Sequence, residues 1–319
     1  MAKLNMVKAI NLALKQSMEK DSSVVLLGED VSDGLIEQFG ESRVIDTPLA
    51  ESGIVGTAIG MALGGLKPIG EIQFSGFAHV GWAQLEGHAS RYRSRSRSQL
   101  SVPMVLRMPY GGGVRALEHH SESREAYYGH TPGLKCVIPS GPRNARALLA
   151  AAIKDPDPVI FMEPKALYRA FREEVPEEEE TLEIGQPKHV QEGEGLVLVS
   201  WGAMMKPSLE AAKMLEEGGG PRVSIFDLLS INPINDEPIV EEVKRLGRCA
   251  IVQEAPRSIS VSSELIARLN DKALDYLEAP VKRLTGYDVV TPYFGREKLY
   301  LPNAESIAQA LQECLERPS

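Results

Sequence analysis

Cysteine is scarce, with only Cys136, Cys249 and Cys314 in 319 residues. The odd count, the wide spacing and the want of any C-x-x-C pair argue against a disulfide framework or a zinc site, and suit a reducing compartment. Nucleotide signatures are missing too: no G-x-G-x-x-G follows a strand pattern, and no G-x-x-x-x-G-K-[ST] occurs. The apolar run from Ile54 to Leu63 falls far short of the roughly 20 residues that cross a bilayer. From Met1 the chain passes directly into helical spacing (Met6, Ile10, Leu14), without the apolar core of a signal peptide or an Arg- and Ser-rich transit segment, so the expected location is cytoplasmic. Positive charge is not in excess. With 35 Lys and Arg against 44 Asp and Glu, the net charge of -9 argues against nucleic acid or an anionic membrane as the main partner.

What is present is an alternation. Apolar runs at Val24 to Leu27, Pro68 to Phe74, Pro103 to Met108, Val137 to Pro139 and Pro158 to Met162 read as buried parallel strands. A first helix opens with Asn5 as its cap, and helical patterns lie between the strands, over residues 52 to 64, about 78 to 93, about 122 to 129, and Pro142 to Lys154, the last opening with Gly141-Pro142. A charged stretch from Tyr168, rich in glutamate and ending in Gly185 and Pro187, reads as a linker. A second set follows: strands at Leu196 to Ser200, Arg222 to Leu228 and Cys249 to Gln253, and helices near Lys206 to Glu217, Asp236 to Leu246 and Ser262 to Ala273, with a last helix from Ala304. The expected fold is therefore α/β, with two doubly wound domains over residues 1–180 and 181–319. Ligands should sit at the carboxyl ends of the strands.

Four stretches could carry chemistry. In the segment from Arg43 to Gly65, a proline turn leads into a small-residue helix with Glu51 at the hinge. A first-turn carboxylate is favoured by the free N–H groups and the macrodipole whatever else it does. Gly56, Gly60 and Gly64, four residues apart, give that helix a bare face suited to close approach of another helix, within one subunit or across an interface. The triplet Gly111-Gly112-Gly113 leads into Leu117-Glu118-His119-His120-Ser121-Glu122-Ser123, the richest polar cluster. Its adjacent histidines point about 100° apart on a helix and lack H-E-x-x-H spacing, which disfavours a metal. The stretch Glu71 to Phe77 leaves an aromatic just past a strand's carboxyl end. Finally, Lys154-Asp155-Pro156-Asp157-Pro158 has the composition of an ordinary turn. The Arg91 to Ser98 run is short and reads as a helix end with exposed cations.

These motifs in order resemble the β subunits of the thiamine-diphosphate-dependent E1 component of 2-oxo acid dehydrogenase complexes. The resemblance runs almost end to end: Gly28-Glu29-Asp30-Val31, the D-T-P-L-A-E-S-G-I of residues 46–54, Glu71 to Phe74, His120 to Ser123 with Pro132-Gly133-Leu134-Lys135, Asp157 to Arg169, Trp201-Gly202-Ala203, Val252-Gln253-Glu254 and Leu301-Pro302-Asn303. It implies an N-terminal pyrimidine-binding domain and a C-terminal transketolase-C-like domain. Glu51 would then hydrogen-bond the aminopyrimidine of thiamine diphosphate and promote its imino tautomer, Phe77 would stack on that ring, Gln73 would line the cofactor site, and His120 would handle protons in the channel. It further implies K+ at Asp155 and Asp157, as in branched-chain relatives. No G-D-G segment is present. The resemblance thus implies half an active site, with an E1 α subunit holding Mg2+ and the diphosphate in an α2β2 heterotetramer whose β subunits pair through the glycine helices. A lipoyl-bearing E2 would accept the acyl group. The family's loop after G-E-D-V is longer than Asp30-Val31-Ser32-Asp33-Gly34 here.

Glu163-Pro164-Lys165, Gly286-Tyr287-Asp288 and Leu117 to Ser123 look somewhat more like branched-chain 2-oxo acid enzymes than pyruvate ones. Two rivals stay open: an acetoin-cleaving enzyme's β subunit, and a non-catalytic subunit that only docks E2.

Overall fold

The computed structural model describes residues 2–29 and 34–317. The short loop after Val31 lies outside the described residues.

Seven strands form the first sheet, in the order Ser230–Asn232, Lys135–Val137, Val159–Pro164, Val105–Tyr110, Lys67–Glu71, Val24–Gly28 and Val44–Asp46. Every neighbouring pair is parallel except the first. A second sheet has the order Lys282–Gly286, Cys249–Pro256, Val197–Ser200, Ser224–Asp227 and Lys188–Gln191, antiparallel only at its last pair. Their central strands are buried throughout apart from Arg107, as continuous apolar runs require once helices cover both faces. Helix caps are those the sequence spells. Asn5 Oδ1 accepts from the Lys8 N–H at 3.0 Å to open Met6–Lys20. Gly141 and Pro142 open Pro142–Lys154.

The structure differs from the sequence reading at the edges. Lys188–Gln191 and Glu173–Val175 are short and polar, with no apolar alternation to announce them, and Ser230–Asn232 crosses from the second half to complete the first sheet. The single helix expected over 78 to 93 is four short pieces, Ala78–Gly81, Trp82–Gly87, Ala89–Arg91 and Tyr92–Arg95. The first break falls at Gly81, where a Cβ would lie 2.9 Å from Val55 Cγ2, so this segment runs hard against the Glu51–Leu63 helix. The helix expected from 122 begins at Glu125, because the Glu122 carbonyl instead accepts from Gly111 N (3.1 Å) and Ser75 Oγ (3.1 Å). No helix among the described residues is long and apolar enough to cross a membrane.

Candidate active site

The parallel strands of the first sheet end at Gly28, Asp46, Glu71, Tyr110, Val137 and Pro164, and Glu51, Gln73, Phe77 and His120 follow three of those ends in the chain. Gly28 has φ +144°, and a Cβ there would lie 2.4 Å from the Glu71 carbonyl oxygen, so only glycine permits the two strand ends to close.

Glu51 is the first residue of its helix, half-buried, where unpaired N–H groups favour a carboxylate. The helix start is tied to the aromatic segment: Ser52 Oγ donates to the Val80 carbonyl at 2.6 Å, and Val80 N–H donates to the Phe77 carbonyl at 3.0 Å. Phe77 is also half-buried. Its ring centroid lies 5.4 Å from those of both His119 and His120, edge-on to the latter. Phe74 closes the other side of His120 at 4.7 Å. Gly76 lets the two segments touch, since a Cβ there would stand 2.1 Å from the His119 carbonyl oxygen. Phe77 and His120, read separately from the sequence, are thus in contact. His120 Nδ1 is buried without a hydrogen-bond partner among the described residues, and burial pulls the imidazole's pKa below its ordinary value, with the Lys165 and His119 charges acting in the same direction.

Gln73 lies on an adjoining network. Its amide donates to Glu71 Oε1 at 3.1 Å, and Arg107 donates to Glu71 Oε2 at 2.7 Å and to Glu163 Oε1 at 2.8 Å. These residues, with Phe74 and Tyr168, line a cavity of about 370 Å³. Asp155 and Asp157 stand apart. Lys135 Nζ binds Asp155 at 2.7 and 2.8 Å, and Arg93 Nε binds Asp157, in the turn to which the family resemblance assigned K+.

Sequence reasoning passed over the acids and cation beneath the histidine loop. Glu254, at the end of a buried strand of the second sheet, accepts from Ser123 Oγ at 2.6 Å. A Cβ on Gly111 would stand 2.1 Å from it, which gives the glycine triplet its reason. Glu297 accepts from Gly113 N (2.8 Å) and Arg115 N (3.0 Å). The second half therefore clamps the loop that carries His119 and His120. Glu254 and Lys165 could have been suspected as charged residues ending otherwise apolar strand runs.

Burial pushes the Glu254 carboxyl up to about 7, from an ordinary 4.5. The folded chain binds that proton more tightly than the unfolded one, so this group weakens the fold as pH rises from about 4.5 to about 7. Glu254→Gln should match the parent protein near pH 5 and exceed its unfolding free energy by about 3 kcal/mol at pH 8. Urea titrations across that range check it, and a difference that does not grow with pH would refute it.

The comparisons with known proteins bear on this arrangement. Residues 2–170 match the transketolase pyrimidine-binding domain and residues 185–307 the transketolase C-terminal domain. The chain is 48% identical to a pyruvate dehydrogenase E1 component subunit beta of Acholeplasma laidlawii, over 98% of each chain. It is 42% identical to that of Staphylococcus aureus, over 99% of this chain and 100% of the relative. The chain belongs to the E1 β-subunit family. Its fold is shared with a split gene transketolase described as an inactive beta4 tetramer, with a TM-score of 0.77 at 22% identity over 99% of this chain and 100% of the other. The pyruvate dehydrogenase relatives of this E1 β chain lend no support to the branched-chain leaning of Glu163-Pro164-Lys165 and Gly286-Tyr287-Asp288.

Proposed function

We propose that this chain is the β subunit of a pyruvate-type 2-oxo acid dehydrogenase E1. It would act with an α subunit in an α2β2 tetramer and pass an acyl group to a lipoyl-bearing E2. The observation that carries this reading is the contact of Phe77 with His120 beside the Glu51 helix start, in a chain nearly half identical to a pyruvate dehydrogenase E1 β subunit.

The residues fit the pyrimidine end of thiamine diphosphate. A half-buried aromatic ring, a carboxylate at a helix start and an imidazole with a buried, unpartnered nitrogen suit a flat, polar heteroaromatic ring. When bound, that cofactor supplies the carbon nucleophile and electron sink for decarboxylation. Glu51 would hold a proton at a ring nitrogen. Phe77 would fix the ring's plane and, with Phe74, keep water away. His120, held neutral, can accept a proton at working pH and return it. The diphosphate and Mg2+ are assigned to the α subunit.

The glycine face supports pairing of two β subunits. Gly60 is exposed and a Cβ there would meet no described residue within 4 Å, whereas Gly56 faces Gln84 Cγ at 3.8 Å and Gly64 caps the helix, so Gly60 is the position left open for a partner. Gly60→Leu should leave the melting temperature of the isolated chain unchanged while reducing the tetramer and its turnover together, through overpacking. A full-size tetramer with normal turnover, by light scattering and assay, would remove the glycines from the interface.

The reading itself is tested by steady-state rates of the reconstituted α and β chains on pyruvate, a branched 2-oxo acid and acetoin. Pyruvate should have the highest kcat/KM. Preference for the branched acid would restore that substrate class, acetoin cleavage would favour the rival enzyme, and no turnover on any of them would favour a docking subunit.

A further inference from the structure

Lys165 stands where a lysine is hard to explain as packing. It follows the strand Val159–Pro164, is 8% exposed, and its Nζ is buried with no hydrogen-bond partner among the described residues. A buried ammonium without a hydrogen bond is destabilising unless fields around it compensate. Two features supply them. Nζ lies 4.9 Å from the centroid of the Phe74 ring, a cation–π distance. Glu297 of the second half acts on it as a negative charge, and so does Glu254 once ionised, its carboxyl being pushed up to about 7. The same Phe74 ring lies 4.7 Å from the His120 ring. Lys165 and His120 therefore share one aromatic neighbour, at the junction where the second half clamps the histidine loop through Gly113 and Arg115.

We propose that Lys165 is a positioning residue for His120, a buried cation whose field acts on the imidazole through their shared contact with Phe74. The inference deepens the proton-handling role given to His120 above and rests on that reading for its functional meaning, though not for its test. The charged groups acting on the imidazole are few. Lys165 and His119 disfavour its protonation, and Glu118 favours it. Burial holds the Lys165 ammonium down to about 8, with Glu254 and Glu297 opposing the fall, so it carries its charge throughout the range in which a histidine titrates. A cation on the ring that His120 also touches makes the imidazolium costly and keeps the basic nitrogen free, the state in which His120 can accept a proton. Because the acids opposite Lys165 come from the second half, the field at His120 depends on how the two halves meet.

The test reads the histidine directly on the full chain. Diethyl pyrocarbonate acylates neutral imidazole, and peptide mass spectrometry resolves the rate at His120 from the rates at its neighbours. Rates from pH 5 to 8 would be compared for the parent chain, Lys165→Met, Lys165→Gln and Lys165→Arg. Removing the charge should raise the midpoint of His120 acylation by about 0.5–1 unit, slowing the reaction at pH 5.5 roughly three- to ten-fold. Lys165→Arg should keep the parent midpoint, and His189, in the second sheet, should keep its own in all four proteins. Either neutral variant suffices if only one folds, as judged by near-ultraviolet dichroism. An unchanged His120 midpoint in a folded neutral variant would overturn the proposal. So would the same shift in Lys165→Arg as in Lys165→Met, since that outcome assigns Lys165 to packing. Turnover of the reconstituted enzyme is measured separately, so loss of the proposed activity and loss of the coupling remain distinguishable.

Discussion

Replacing Glu51 by glutamine should lower decarboxylation by the reconstituted enzyme by about 10²–10⁴-fold, the range that a positioned acid or base contributes. The fold should be untouched. Glu51 is half-buried at the first position of its helix, and its carboxylate enters no ion pair with a described residue, so glutamine removes a charge without stranding another. Only the favourable interaction of a first-turn carboxylate with the helix terminus is lost, about 0.3–1 kcal/mol. The helix itself stays anchored through Ser52 and Val80. Assembly, followed by light scattering, should match that of the parent protein, while single-turnover decarboxylation collapses. A loss smaller than ten-fold would take Glu51 out of the chemistry and leave it a helix-start acid. Loss of assembly together with activity would instead place Glu51 in the interface.

The largest effect on stability is expected at Arg107. Its guanidinium joins two strands of the first sheet, donating to Glu71 at 2.7 Å and to Glu163 at 2.8 and 3.2 Å. The side chains of both glutamates are almost wholly shielded, at 9% and 1% exposure. Tyr168 also donates to Glu163, at 2.6 Å. Arg107→Met preserves much of the apolar stem but leaves two shielded carboxylates without their cation, which should cost about 3–5 kcal/mol of unfolding free energy. The double variant Arg107→Met with Glu163→Gln should recover part of that loss, because one of the stranded charges is gone. Chemical denaturation followed by circular dichroism measures both. A loss below about 1 kcal/mol in the single variant would mean that water reaches the pair and that the network is peripheral. Consequences for the site should follow, since Gln73 bonds Glu71 and the ring of the next residue, Phe74, packs against that of His120.

Strong local signals carried most of the architecture into the sequence. Continuous apolar runs marked the buried strands, and Asn5, Gly141 and Pro142 marked helix starts, because each acts through its own backbone and needs no distant partner. The edge strands were not legible. Ser230–Asn232 and Lys188–Gln191 are strands only because another strand offers them hydrogen bonds. The same division runs through the site. Glu51, Phe77 and His120 could be singled out from motifs, since a helix hinge, an aromatic past a strand end and an adjacent histidine pair are local patterns. Their sharing of one site came only through the family resemblance, and the contact of Phe77 with His120 could not be read at all, because Gly76 must bring Phe77 against the histidine loop from more than forty positions away. Glu254 and Lys165 could be suspected as charges ending apolar runs, but the roles of Glu254, Glu297 and Lys165 were beyond reach for a related reason. A charged residue at the end of a strand is ordinary in sequence, and its meaning here comes from the second half closing over the glycine loop of the first. By itself the sequence determined the strand–helix alternation, the acidic balance and the family motifs, all of which rest on short-range chemistry. Only the tertiary structure decided which acids lose their water and which cation faces the histidine, because desolvation and field depend on what the fold brings near, not on what the chain places next.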